Sequence, residues 1–141
     1  MTGMAHRPRT TRCQRHFVLT CALCAHAFAW SAPAPESQRE IAYLLSYVEH
    51  SGCQFSRSGT WYDAPAARKH LETKYKYLSQ RDMVQTTDDF IERAATGSSM
   101  GGGVYTVRCA NGIAHPSAVW LRRELVRFRK AGPADARPPP L

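Results

Sequence analysis

The sequence predicts an α+β domain: a small antiparallel sheet, made of one hairpin and one later strand, packed with about four helices and tied by one disulfide. Three observations carry that expectation. Apolar spacing switches between the helical and the alternating period in the order α, β, β, α, α, β, α, with few strands among the helices. Of five cysteines, only Cys53 and Cys109 lie in the body of the chain. Setting aside an N-terminal segment with the properties of an export signal leaves 112 of the 141 residues, which suits one domain with a single modest core.

The export reading rests on physical order. Arg7, Arg9, Arg12 and Arg15 form a positive start, residues 16–29 are largely apolar or small, and Ala27-Phe28-Ala29 offers the small-x-small pattern that signal peptidase accepts. The cut is placed after Ala29, making 1–29 the signal peptide and the mature protein periplasmic or secreted. The apolar core of about fourteen residues is shorter than the roughly twenty a spanning helix needs, so no stable membrane insertion is expected after its removal. Thr20 and Leu23 precede Cys21 and Cys24 where a lipoprotein signal has a small residue. Inside a removed segment, Cys21-x-x-Cys24 carries no redox meaning.

Residues 30–36, with Pro33 and Pro35 and no periodicity, read as a flexible lead-in to a domain over 37–131. Ser37-Gln38-Arg39-Glu40 has the capping-box arrangement, in which hydroxyl and carboxylate satisfy free amides at a helix start. Ile41, Leu44, Leu45 and Val48 follow at helical spacing and predict a helix over about 38–49. Tyr43 and Tyr47 form a second stripe that meets a partner or flanks the core. Phe55, Thr60, Trp61 and Tyr62 favour a pleated surface, and Ser58-Gly59 between them suits a tight hairpin.

Asp63 can cap the next helix, and Pro65 in its first turn lacks an N–H that would be unpaired there anyway. Ala67, Leu71, Tyr75 and Leu78 trace one face of that helix over about 64–78. Thr86 and Asp89 repeat the capping logic for a short third helix carrying Phe90, Ile91 and Ala94, which Gly97 ends. Residues 98–103 form a small-residue loop, 104–109 alternate as a half-buried strand does, and Asn111-Gly112 closes that strand with a turn. Ser117 caps a fourth helix with Ala118, Leu121, Leu125 and Phe128 inward. Gly132-Pro133 stops it, and 132–141, with Pro138, Pro139 and Pro140, is a disordered tail.

Four of the nineteen Lys and Arg leave with the signal, so the formal charge falls from +8 to +4, fifteen basic against eleven acidic side chains. Residues 30–119 balance nine against nine, and the excess sits mainly in Arg122, Arg123, Arg127, Arg129 and Lys130. Duplex binding needs a broad basic face that neutralises several phosphates, so no nucleic-acid partner is expected. Arg123, Arg127 and Lys130 line one helix face, a row that meets anionic lipid or polymer or is simply solvated.

Cys53 and Cys109 close a loop of 57 residues counting both ends, and in an oxidising compartment they are expected to pair. In the chain-entropy model that link stabilises the fold by roughly 4 kcal/mol, less any strain.

Residues 55–59 (Phe-Ser-Arg-Ser-Gly), then Ala67-x-x-His70-Leu71-x-x-Lys74, Thr86-x-x-x-Phe90-Ile91 and Ser98-Ser99-x-x-Gly102-x-x-Tyr105-x-Val107 together resemble the YfeK-like family of small exported bacterial proteins, a domain of unknown function. The resemblance covers about 40–125. It departs at Ser58, where that family tends to have Asn, and at Gly97 and Gly101, where it tends to have Ser and Thr. It implies a periplasmic or secreted location and no established activity.

His70 and Lys74 are one helical turn apart, with Arg57 on the preceding hairpin. Converging, they suit a carboxylate or phosphate, because Arg makes planar bidentate contacts and Lys supplies a point charge. The structural alternative has His70 bonded to the hairpin backbone and Arg57 paired with Asp63 or Glu72. The Ser98 to Tyr105 loop adds Ser98, Ser99 and Tyr105 as candidate contacts, but it follows a helix C-terminus and lacks a P-loop ending.

A hydrolase needs Ser98 or Ser99 beside His70 with Asp88 or Asp89 to orient it, and no Gly-x-Ser-x-Gly elbow exists. Local likeness of the loop to that of periplasmic lysozyme inhibitors suggests inhibition of an envelope enzyme, which needs Ser99 and Tyr105 to project. His50, His70 and His115 lack ligand spacing, so no metal and no cofactor are expected. The leading expectation is a monomeric exported binding or interaction module with an envelope ligand or protein as partner, and an enzyme is less expected.

Overall fold

The computed structural model describes residues 32–98, 101–110 and 112–135. The expected signal segment, Ser99, Asn111 and the run Pro138-Pro139-Pro140 lie outside these residues.

Helix α1, Pro35–Glu49, starts at the proline rather than at Gln38. Pro35 has its φ preset for a first turn and no N–H to lose, so the helix begins before Ser37 reaches a capping position. No side chain caps this end and no Ser37–Glu40 capping box forms; Gln38 Nε2 instead donates to the Pro33 carbonyl at 2.6 Å. Glu40 turns inward, 3% exposed, and accepts from Thr87 Oγ1 and, at 2.7 and 2.9 Å, from Arg129. The tyrosine stripe flanks the core, with the Tyr43 ring 4.1 Å from Phe128 and the Tyr47 ring 4.5 Å from Trp120.

Strands β1, Gln54–Arg57, and β2, Thr60–Tyr62, pair antiparallel about Ser58-Gly59. Both turn residues have positive φ, 51° and 81°, as a type I′ turn requires. Helix α2, Ala64–Ser79, opens on the Asp63 carboxylate, which accepts the Ala66 N–H at 2.9 Å. Its Ala67, Leu71 and Leu78 are buried, and Tyr75 meets Phe90 edge-on.

Helix α3, Thr87–Phe90, carries the full Thr86–Asp89 capping box and then widens into a π turn, Ile91–Ala95. Thr96 Oγ1 donates five residues back to the Ile91 carbonyl, closing the wider turn.

Strand β3, Thr106–Arg108, lies beside β1, and a strand the sequence does not announce, β4 at Ala114–Pro116, lies beside β3. The sheet is antiparallel in the order β2-β1-β3-β4. The fold is therefore α+β as predicted, with four strands. Helix α4, Ser117–Asp135, follows β4 directly and breaks its geometry at Gly132, φ 75°.

The register that sets Gln54 opposite Arg108 also sets Cys53 opposite Cys109, and these two form a disulfide with their Cα atoms 4.3 Å apart. That separation matches the roughly 4.5 Å of a non-hydrogen-bonded antiparallel pair. Phe55 and Val107 face the helices, where Ile41, Leu44, Val48, Leu71, Phe90, Ile91, Leu121 and Leu125 complete the core. On the other face Arg108 stacks over Trp61 at 4.0 Å and bonds to Gln54.

Candidate functional site

Sheet register assembles a row of polar side chains. The pairing that sets Ser56 opposite Thr106 sets Arg57 opposite Tyr105, and the one that sets Thr106 opposite Pro116 sets Tyr105 opposite Ser117. The Ser117 N–H confirms that last step by donating to the Tyr105 carbonyl at 2.9 Å. Cross-strand neighbours share a face. Arg57, two residues after buried Phe55, thus faces the helices together with Tyr105 and Ser117, and His70 on α2 meets them there.

Arg57 Nη1 lies 2.7 Å from His70 Nδ1, and Nη2 donates to the Tyr62 hydroxyl at 3.3 Å. A guanidinium only donates, so Nδ1 accepts and the imidazole proton resides on Nε2, 3.1 Å from the Tyr105 hydroxyl. Burial, then the charges of Arg57 and Lys74, hold the His70 pKa below its ordinary 6.5, which keeps the ring neutral. Burial pushes the Tyr105 phenol up, and Arg57 opposes it.

These groups border a cavity of about 150 Å³. The rest of its wall is Ser56 and the apolar Phe55, Ala66, Ala67, Leu71, Ala95 and Leu121. Ser117, 5% exposed, also lines it, and its Oγ has no hydrogen-bond partner among the described residues. A dry apolar cavity of this order holds one aromatic ring.

Lys74 takes a different part. Its Nζ donates to the Gly97 carbonyl, and burial lowers its pKa. It thereby anchors the start of the small-residue loop, which Ser58 Oγ also holds by donating to the Gly102 carbonyl at 3.3 Å. Ser98 lies in that loop with its N–H on the Gly103 carbonyl, 3.2 Å away. A Cβ on Gly97 would meet the Gly103 oxygen at 2.8 Å, so only glycine allows this close approach.

The structural partners proposed for Arg57 are engaged elsewhere. Asp63 caps α2, and Glu72 pairs with Arg68 and Lys76. The acids of a hydrolytic triad are engaged too: Asp89 closes the α3 capping box and Asp88 lies 3.9 Å from Arg129, while both His70 nitrogens face Arg57 and Tyr105. Tyr105, needed as a projecting residue by an inhibitory loop, is 7% exposed. His50 bonds to the Ser46 carbonyl, and no group of three or more His, Cys, Asp or Glu gathers among the described residues. No described helix is long and apolar enough to cross a membrane.

Sequence reading did not single out Tyr62 or Ser117 as site residues. Tyr62 reads only as a strand former and Ser117 only as a cap. The alternation of 104–109 signals that Tyr105 and Val107 share a face, but nothing local pairs either with Ser117.

No curated protein and no solved structure matches this chain. The profile of a family of unknown function, DUF5329, matches residues 35–129, a span that runs from the first turn of α1 into α4 and contains every cavity residue. The chain belongs to the DUF5329 family.

Proposed function

We propose that this protein is a small exported binding module, one of the YfeK-like proteins, whose Arg57–His70–Tyr105 cavity takes a small ligand with one anionic group on an apolar body. Export is supported by the order of residues 1–29 and by the Cys53–Cys109 link, since disulfides persist in oxidising compartments. The protein acts as a monomer in the periplasm or outside the cell.

One observation carries the binding reading. Arg57 is half-buried at a cavity wall, and its partners are a neutral imidazole and a phenol, with no carboxylate of the described residues paired to it. A partly desolvated cation without a counter-ion carries a cost, and an entering anion lowers it with a charge-assisted pair. A monoanion suits the site better than a phosphate, because Lys74 is committed to Gly97 and His70 is uncharged.

Calorimetric titration of the mature protein with benzoate tests this. Wild type binds, and Arg57→Gln weakens binding by about tenfold or more, the worth of a charge-assisted hydrogen bond. Absence of benzoate binding in wild type, or equal affinity in Arg57→Gln, refutes the proposal.

A further inference from the structure

Resting on that reading of the cavity, a second polar feature narrows the ligand. Ser117 is 95% buried, given its 5% exposure, lines the cavity, and has an Oγ without a hydrogen-bond partner among the described residues. Buried hydroxyls are ordinarily satisfied, so an unpaired one at a cavity wall marks the place where a partner is supplied from within the cavity. It also stands at the N-terminal end of α4, where the first amides have no carbonyl of their own helix and the helix dipole favours an oxygen acceptor.

Its position relative to Arg57 follows from the register. Arg57, Tyr105 and Ser117 occupy successive strand positions in one cross-strand row, so two strand spacings, roughly 10 Å, separate the Arg57 and Ser117 backbones. Between them stands Tyr105, its hydroxyl turned to His70, and the lining around it is largely apolar: Phe55 two residues before Arg57, Leu71 from α2, Ala95 from the π turn and Leu121 one turn into α4. The site is charged at one end, largely apolar through its middle apart from the Tyr105 hydroxyl, and hydrogen-bonding but uncharged at the other.

We propose that Ser117 is a specificity-determining residue, and that the favoured ligand is a small cyclic carboxylic acid bearing a hydroxyl or carbonyl oxygen at the end opposite its carboxylate. The carboxylate lies against Arg57, the ring against Phe55, Leu71 and Leu121, and the far oxygen on Ser117 Oγ. Such an acid gains where plain benzoate cannot, because benzoate leaves the serine unpaired.

The test compares 4-hydroxybenzoate with benzoate on wild type, Ser117→Ala and Arg57→Gln by calorimetry. In wild type the hydroxylated acid binds about fivefold tighter, the worth of one neutral hydrogen bond. Ser117→Ala abolishes that advantage, so the two acids bind it equally, and Arg57→Gln weakens both acids. Thermal melting serves as the folding control: Ser117→Ala melts at or above the wild-type temperature, because it removes an unpaired buried hydroxyl rather than a bond.

The outcomes separate the two readings. If benzoate binding depends on Arg57 but the para-hydroxyl brings no gain, or the gain survives in Ser117→Ala, the Ser117 subsite is refuted and the anion site stands. If the hydroxyl of Ser117 is satisfied by water alone, the two acids bind equally, which is the same refutation. If neither acid binds wild type, both readings fall.

Discussion

Glu40 shows how a residue with a clear local role is taken over by a distant partner. Its spacing from Ser37 suits a cap, yet in the fold it is 3% exposed and bonded to Arg129, 89 residues away, and to Thr87. Arg129 holds the carboxyl below its ordinary 4.5, with burial opposing. A depressed folded pKa contributes stability that is present above 4.5 and is lost as pH falls through the lower folded value. Arg129 is about half exposed, so solvent screens part of the pair. We expect Arg129→Ala to cost about 2 kcal/mol at neutral pH, because it strands a buried carboxylate. That loss shrinks at about pH 4, where the orphaned acid protonates; urea unfolding at the two pH values checks it. A loss that is equal at both would deny the ionic origin. Close by, Tyr43 donates to buried Glu124, and burial, then Glu124, pushes its phenol up to about 12. Two polar ties thus join α1 to α4.

At the scale of elements, the two capping motifs of the sequence separate cleanly. Thr86 and Asp89 bond reciprocally, whereas Ser37 falls inside a helix that Pro35 has already started. Thr86→Ala is therefore expected to destabilise by about 1 kcal/mol and Ser37→Ala by almost nothing, measured as denaturation midpoints. Comparable losses would mean that Ser37 caps after all. The π turn after α3 buries Ala94 and Ala95, and Ala95 reaches the cavity wall. A turn with one extra residue shifts the following chain, which here runs into Gly97 and the glycine loop. A Cβ on Gly102 would lie 2.5 Å from Ser58 Oγ, so the loop rests directly on the hairpin turn. The Asp63 and Thr86 caps and the hairpin turn were legible because each is written within four residues, whereas the expected caps at Ser37 and Ser117 do not form, the Ser117 Oγ having no partner among the described residues. The π turn was not legible, since its widening depends on what packs around Ile91 and Ala95.

For the whole molecule, the disulfide and the sheet register act together. Cys53–Cys109 clamps β1 to β3 in the register that also sets Arg57 opposite Tyr105. The double variant Cys53→Ser/Cys109→Ser is expected to lose up to about 4 kcal/mol of stability in guanidinium titrations while keeping its helical circular dichroism. Stability equal to wild type would show that the link does not constrain the unfolded chain.

Taken alone, the amino-acid order determined the α+β class, the positions of the helices, the Ser58-Gly59 hairpin and the pairing of the two body cysteines. Those properties rest on periodicity, on short capping motifs and on a cysteine count, all of which survive without knowledge of distant contacts. Only the tertiary structure decided that Ala114-His115-Pro116 is a strand, because its residues have little β-propensity and pair only against a preformed edge. It likewise decided that Lys74 anchors a loop, that Glu40 belongs to Arg129, and that Arg57, Tyr105 and Ser117 stand in one row. Each of these depends on which backbone lies beside which across 12 to 89 residues of chain, from Tyr105–Ser117 to Glu40–Arg129, and register of that kind is set by packing the whole core rather than by any local pattern.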